Sequence, residues 1–132
     1  MGEPFSDKAK AFLKEPVIVH IATLMKDGSP QVTPVWADTD GEHIVINTSE
    51  PRQKTRNMER DGRVGLSIMG MENSQRGMQV RGIVKEITKV GANDHIDSLS
   101  LRYTGNPKYQ RHQEGVDRVI VRIEPTRIIE RL

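Results

Sequence analysis

Val17-Ile18-Val19-His20-Ile21-Ala22-Thr23-Leu24-Met25, Lys26-Asp27-Gly28-Ser29 and Gln31-Val32-Thr33-Pro34-Val35-Trp36-Ala37-Asp38 decide the fold between them. The first run has the β-branched composition of a strand. The next four residues supply a hairpin turn in which Gly28 can take positive φ. The third run is the returning strand. Thr39-Asp40-Gly41-Glu42 turns the chain again, and His43-Ile44-Val45-Ile46-Asn47 forms another strand. The whole stretch is an antiparallel meander with short, regular turns. Pro34 interrupts its second strand, where it has no N–H to give a ladder. That implies an edge, a bulge, or backbone facing something other than a strand, such as a flat ring.

Outward from this meander the pattern continues. Before it, Ser6 to Leu13 reads as a short helix with Phe5, Ala9, Phe12 and Leu13 along an apolar seam, stopped by Pro16. After it, Asp61-Gly62 resets the chain, and strands are expected over Arg63–Met69 and Met78–Ile87. Asn93 to Arg102 has helical spacing, Tyr103 to Gln113 has none, and Asp117–Glu124 alternates cleanly with Val119, Val121 and Ile123 on one face. The reading is mainly β: a small six-stranded antiparallel split β-barrel with peripheral helices, one domain over residues 1–132. Closure removes the edges an open sheet would expose. Gly28 belongs to a hairpin and not to a strand–helix–strand unit, so a dinucleotide-binding fold is not expected.

Composition narrows the classes. Only 35% of the residues are apolar and 4% aromatic, a thin supply for a self-sufficient core, so a homodimer is expected. With no cysteine, a disulfide framework, thiol chemistry and a cysteine-based metal site are excluded, and a cytoplasmic location is expected. Met1 to Phe12 lacks a signal-peptide run, and no window is long and apolar enough for a membrane span. The net charge of +2, with basic and acidic residues interleaved, does not point to nucleic acid.

Ile46 to Met58 carries the chemistry. Here a strand runs into a short helix loaded with cations: Ser49 is a candidate N-cap, Pro51 suits a first turn, and Arg52, Lys54 and Arg56 follow. Backbone N–H groups, hydroxyls and cations together suit a phosphate, although the same residues also fit an ordinary solvated helix start. His20, His43, His95 and His112 form no ligand pair, so no metal site is expected. Ser67 and His95 could be assembled into a nucleophile and base on paper, but no strained elbow or paired acid marks them. No catalytic side chain is assigned. The lack of acid–base machinery favours a protein whose chemistry belongs to a bound cofactor. Trp36 fits core or interface as well as a border for a planar ring, and Tyr103 and Tyr109 fit a pocket mouth or a loop anchor.

The chain resembles the flavin/deazaflavin oxidoreductases of split β-barrel fold, relatives of pyridoxamine 5'-phosphate oxidase. The resemblance rests on the first hairpin, on Asn47 to Met58, and on Val64-Gly65-Leu66-Ser67 with Val80-Arg81-Gly82-Ile83-Val84. It implies a homodimer with cofactor sites at the subunit interface, acting on a small-molecule substrate with coenzyme F420 or, alternatively, FMN. The Pro-Arg-x-Lys-Thr-Arg-Asn form at Pro51 to Asn57 is more similar to the F420-dependent branch. By the same resemblance Arg52 and Lys54 meet the cofactor phosphate, helped by Thr48 and Ser49, and Asn57 braces Lys54. Thr33, Pro34, Val35 and Trp36 run past the tricyclic ring. The C-terminal segment with which the oxidases bind their substrate has no counterpart before Leu132, so vitamin B6 oxidation is not expected. Three readings follow: an F420-dependent reductase passing hydride to an electron-poor acceptor, an FMN protein of the same fold, or a non-enzymatic F420 carrier.

Overall fold

The computed structural model describes residues 2–132. Helix α1 (Asp7–Phe12) opens on Ser6, whose Oγ accepts the Ala9 N–H at 3.0 Å. The chain then runs β1 (Ile18–Leu24), β2 (Pro30–Val35), β3 (Ala37–Thr39), β4 (Ile44–Glu50), α2 (Gln53–Arg60), β5 (Arg63–Met69), β6 (Gly77–Thr88), α3 (Ala92–Thr104) and β7 (Asp117–Arg131). The strands form one antiparallel sheet in the order β2-β1-β5-β6-β7-β4-β3.

That order explains the curl. Strands β2 and β3 are the two edges of the sheet, yet only Trp36 separates them in the chain. The sheet must therefore roll up until its edges meet at Trp36. This corrects the six-strand expectation: Gln31–Asp38 is two strands, since Val35 pairs with Val19 on β1 and Ala37 with Ile46 on β4. Pro34 lies opposite His20 on the edge strand, where a missing N–H costs no ladder bond.

Two other boundaries differ. Strand β7 runs on through Pro125 to Arg131, because β6 is long enough to pair with it past a register shift between Arg81 and Gly82. Helix α2 starts at Gln53, and Ser49 is not its N-cap. The β4–β7 ladder holds the backbone through Glu50 opposite Asp117, so the strand claims Ser49 before the helix can.

Side-chain alternation sorts the two faces of the β4–β7 ladder. Ile44, Ile46, Val119, Val121 and Ile123 face the core inside the curl, with Phe12, Leu13 and Ile21. On the opposite face Val45 and Ile120 pack against Ala92 at the start of α3. Asn47, Ser49 and Arg118 have the same strand parity as Val45 and Ile120, on the face that α3 covers.

Candidate functional site

A cavity of about 610 Å³ opens among α2, α3, the β2–β3 joint and the ends of β4 and β7. Its size suits a small organic molecule. Six residues expected at a ligand site line it: Pro34, Val35, Trp36, Thr48, Arg52 and Lys54. Thr33, Ser49 and Asn57 lie outside the lining. Thr33 Oγ1 is buried without a hydrogen-bond partner among the described residues. Ser49 Oγ accepts the Arg52 Nε–H at 2.8 Å, which steadies that guanidinium and leaves its terminal nitrogens free. Asn57 Nδ2 donates to Thr23 Oγ1 at 3.0 Å and contacts Met25 Sδ, so it ties α2 to the β1 end and makes no bond to Lys54. Arg56 turns away, donating to Gln53 Oε1 on the exposed face of α2.

Lys54 is the most unusual group. It is only 7% exposed, and among the described residues its Nζ reaches no closer hydrogen-bond partner than the Pro34 carbonyl oxygen at 3.4 Å. Burial, with Arg52 and then Arg118 nearby, lowers its pKa to about 8. Arg118 was not anticipated. It reaches the cavity from β7, opposite Ser49, and its guanidinium lies over the Tyr109 ring at 5.1 Å. Burial, and the charge of Arg52 as well, push its pKa down, although a guanidinium stays charged. Among the described residues no carboxylate forms a salt bridge with Arg52, Lys54 or Arg118, and the lining contains no Asp or Glu. Cations gathered this way repel one another until an anion joins them.

An aromatic wall stands beside the cations. Trp36 stacks on Tyr103 at 5.2 Å and 11°, and meets Tyr109 edge-on at 5.8 Å. The Ala37 N–H donates to Tyr103 Oη at 3.2 Å, pinning α3 to the β2–β3 joint. One face of Trp36 is thus covered, and the residue borders the cavity from the side. The aperiodic segment after Tyr103 supplies Asn106, Tyr109, Gln110 and Arg111 to the lining. Among the histidines, His95 lies near the site, on α3 beside Asn47. Ser67 is exposed on β5 opposite His20, so no Ser67–His95 pair forms. Among the described residues no metal-binding cluster is found, and no helix is long and apolar enough to cross a membrane.

Known proteins share this architecture. An "F420 Reductase" structure superposes with a TM-score of 0.83 at 30% identity, covering 96% of this chain and all of that one. The F420H(2)-dependent biliverdin reductase of Mycobacterium tuberculosis is 28% identical over 129 residues, 94% of this chain and 86% of the relative. A conserved hypothetical protein from Mycobacterium tuberculosis superposes with a TM-score of 0.70 at 26% identity, covering 94% of this chain and 82% of that one. The family pattern described as pyridoxamine 5'-phosphate oxidase matches residues 5–131. The chain therefore belongs to the pyridoxamine 5'-phosphate oxidase family.

Proposed function

We propose that this protein is an F420-dependent oxidoreductase that reduces a small electron-poor organic acceptor. One observation carries the reading: Arg52, Lys54 and Arg118 line a half-apolar cavity with no carboxylate in its lining. A donor set of guanidinium, ammonium and hydroxyl groups suits a phosphate, and the neighbouring Pro34-Val35-Trp36 backbone and aromatic wall suit a flat ring. The similarity to an F420 reductase and to an F420H(2)-dependent biliverdin reductase supports the choice of cofactor.

In this reading Arg52 grips phosphate oxygens with its free terminal nitrogens while Ser49 fixes its stem. Lys54 supplies a compact point charge from α2, and Thr48 a hydroxyl from β4. Pro34, Val35 and Trp36 border the ring, while Thr33 precedes them on β2 outside the lining. Asn57 acts one step back by anchoring α2. The bound deazaflavin supplies the hydride chemistry itself. The chain's own part is to bind, orient and exclude water, and no side chain is assigned a proton transfer.

FMN in the same cavity is the second reading, favoured by the number of cations. A phosphate monoester such as that of FMN carries more charge than the diester of F420, and the four cations of the lining, Arg52, Lys54, Arg111 and Arg118, would offset it. A non-enzymatic F420 carrier would need the same contacts. A homodimer with cofactor sites at the subunit interface accords with the thin apolar composition and with Val32, 60% exposed on the edge strand β2. Side-by-side titration with F420 and FMN tests the cofactor. Turnover of bound reduced F420 against activated alkenes, quinones and tetrapyrroles separates enzyme from carrier.

A further inference from the structure

A hydrogen-bonded chain runs behind Arg118 into α3. The Arg118 Nε–H donates to Asn47 Oδ1 at 2.9 Å, Asn47 Nδ2 donates to the Ala92 carbonyl at 2.9 Å, and Asn47 Nδ2 lies 3.1 Å from His95 Nδ1. The chemistry of the partners fixes every proton. A guanidinium can only donate and a carbonyl can only accept, so the Asn47 amide has one allowed orientation. Its second N–H then points at His95 Nδ1, which must accept. The His95 proton therefore sits on Nε2, a buried atom with no hydrogen-bond partner among the described residues.

We infer that His95 and Asn47 are positioning residues: neutral His95 holds the Asn47 amide, which holds Arg118 toward the anionic group of the ligand. The ligand half of this inference rests on the cofactor reading above. Arg118 is restrained at Nε by Asn47 and over its face by Tyr109, which leaves its two terminal nitrogens for an oxyanion. Arg52 is held the same way by Ser49, so two forks with pinned stems flank Lys54. Nothing in the phosphate-type segment of the sequence announces this support, because Asn47, His95 and Arg118 meet only through tertiary packing.

The chain of bonds is sensitive to protons. Protonated His95 would carry an N–H at Nδ1 facing the Asn47 N–H, and one contact must break. Burial, with Arg122, Arg102 and Arg118 nearby, holds the His95 pKa below its ordinary value of 6.5, while Asp38 pulls the other way. Asp38 is itself engaged by Lys14 at 2.9 Å and Arg102 at 3.1 Å, which weakens that pull. The support is thus intact at neutral pH and is lost as the pH falls beneath the ordinary imidazole range.

The test combines NMR of the ligand-free protein with F420 titration, on wild type, His95→Gln and His95→Ala. Wild type should show His95 protonated on Nε2 and a protected Arg118 Nε–H at about pH 7.5, lost on acidification once His95 takes up its second proton. A glutamine side chain can accept through its oxygen without titrating, so His95→Gln should keep the protected signal throughout the acid titration. His95→Ala should lose the signal and bind F420 roughly two- to tenfold more weakly, the scale of one net hydrogen bond. A proton found on Nδ1, or an Arg118 signal indifferent to both replacements, would overturn the positioning role even if a variant folds poorly, since the tautomer is read in wild type. Unchanged F420 affinity in His95→Ala would overturn the ligand half. If wild type binds neither F420 nor FMN, the cofactor reading and that ligand half both fail, while the tautomer and signal still decide the positioning role.

Discussion

Lys54 holds an ammonium at 7% exposure with no carboxylate among the described residues to balance it, and a fold gains nothing from that alone. An anionic ligand supplies the missing partner. Lys54→Ala should therefore weaken cofactor binding by roughly 1–3 kcal/mol while the protein stays folded, checked by calorimetric titration beside a denaturation curve. The lowered pKa gives this a pH signature. A lysine whose folded value is about 8 loses its charge as the pH rises through that value, so affinity should fall above about pH 8. Ligand binding there should take up protons, visible as a dependence of the binding heat on the buffer's ionisation enthalpy. The sign for stability is opposite: the unfolded chain holds the Lys54 proton up to its ordinary 10.5, so ligand-free stability should rise between those values. That Arg52 and Lys54 stand together at the strand-to-helix joint was legible in the sequence because they are a few residues apart, and both line the cavity. Arg118 was not, because it arrives by pairing with Ser49, far away in the chain, and an isolated cation on an alternating strand looks like a solvated one.

Elements inherit their positions from a few specific contacts. The sequence showed the first hairpin, the strand that follows it, the three later strands and the three helices, since each follows from local period and turn residues. It did not show that Trp36 divides a strand, because the division comes from Val35 and Ala37 finding partners on opposite edges of the sheet. Helix α2 is fastened by Asn57, whose amide bonds Thr23 and receives Gln53 Nε2 at 2.8 Å. Asn57→Ala should cost roughly 1–3 kcal/mol in urea denaturation, because it leaves the buried Thr23 hydroxyl without that donor. Its effect on ligand affinity should be small beside that of Lys54→Ala, as it does not line the cavity. At the bend of the sheet, a methyl group on Gly82 would come within 2.7 Å of both the Glu124 carbonyl oxygen and Ile123 Cγ2. Gly82→Ala should therefore lower stability by about 1–3 kcal/mol through overpacking at the register shift.

The whole molecule is a sheet rolled until its edges meet, with its core inside and a cationic, aromatic-walled cavity outside under α3. Strand patterning and turn residues made a mainly β fold readable, but the cavity walls from α3 and the segment after it follow only from tertiary packing. Those walls bring Tyr109, Gln110 and Arg111 to the cavity lining. The decisive measurement is equilibrium binding of F420 and FMN to wild type and to the Arg52→Ala, Lys54→Ala double variant, with native mass recorded for each. Saturable F420 binding is expected, at one per chain in a dimer, stronger than FMN binding and lost in the double variant while the fold persists. Binding of neither cofactor, or F420 binding untouched by removal of both cations, would contradict a cofactor held by its phosphate at the joint of β4 and α2.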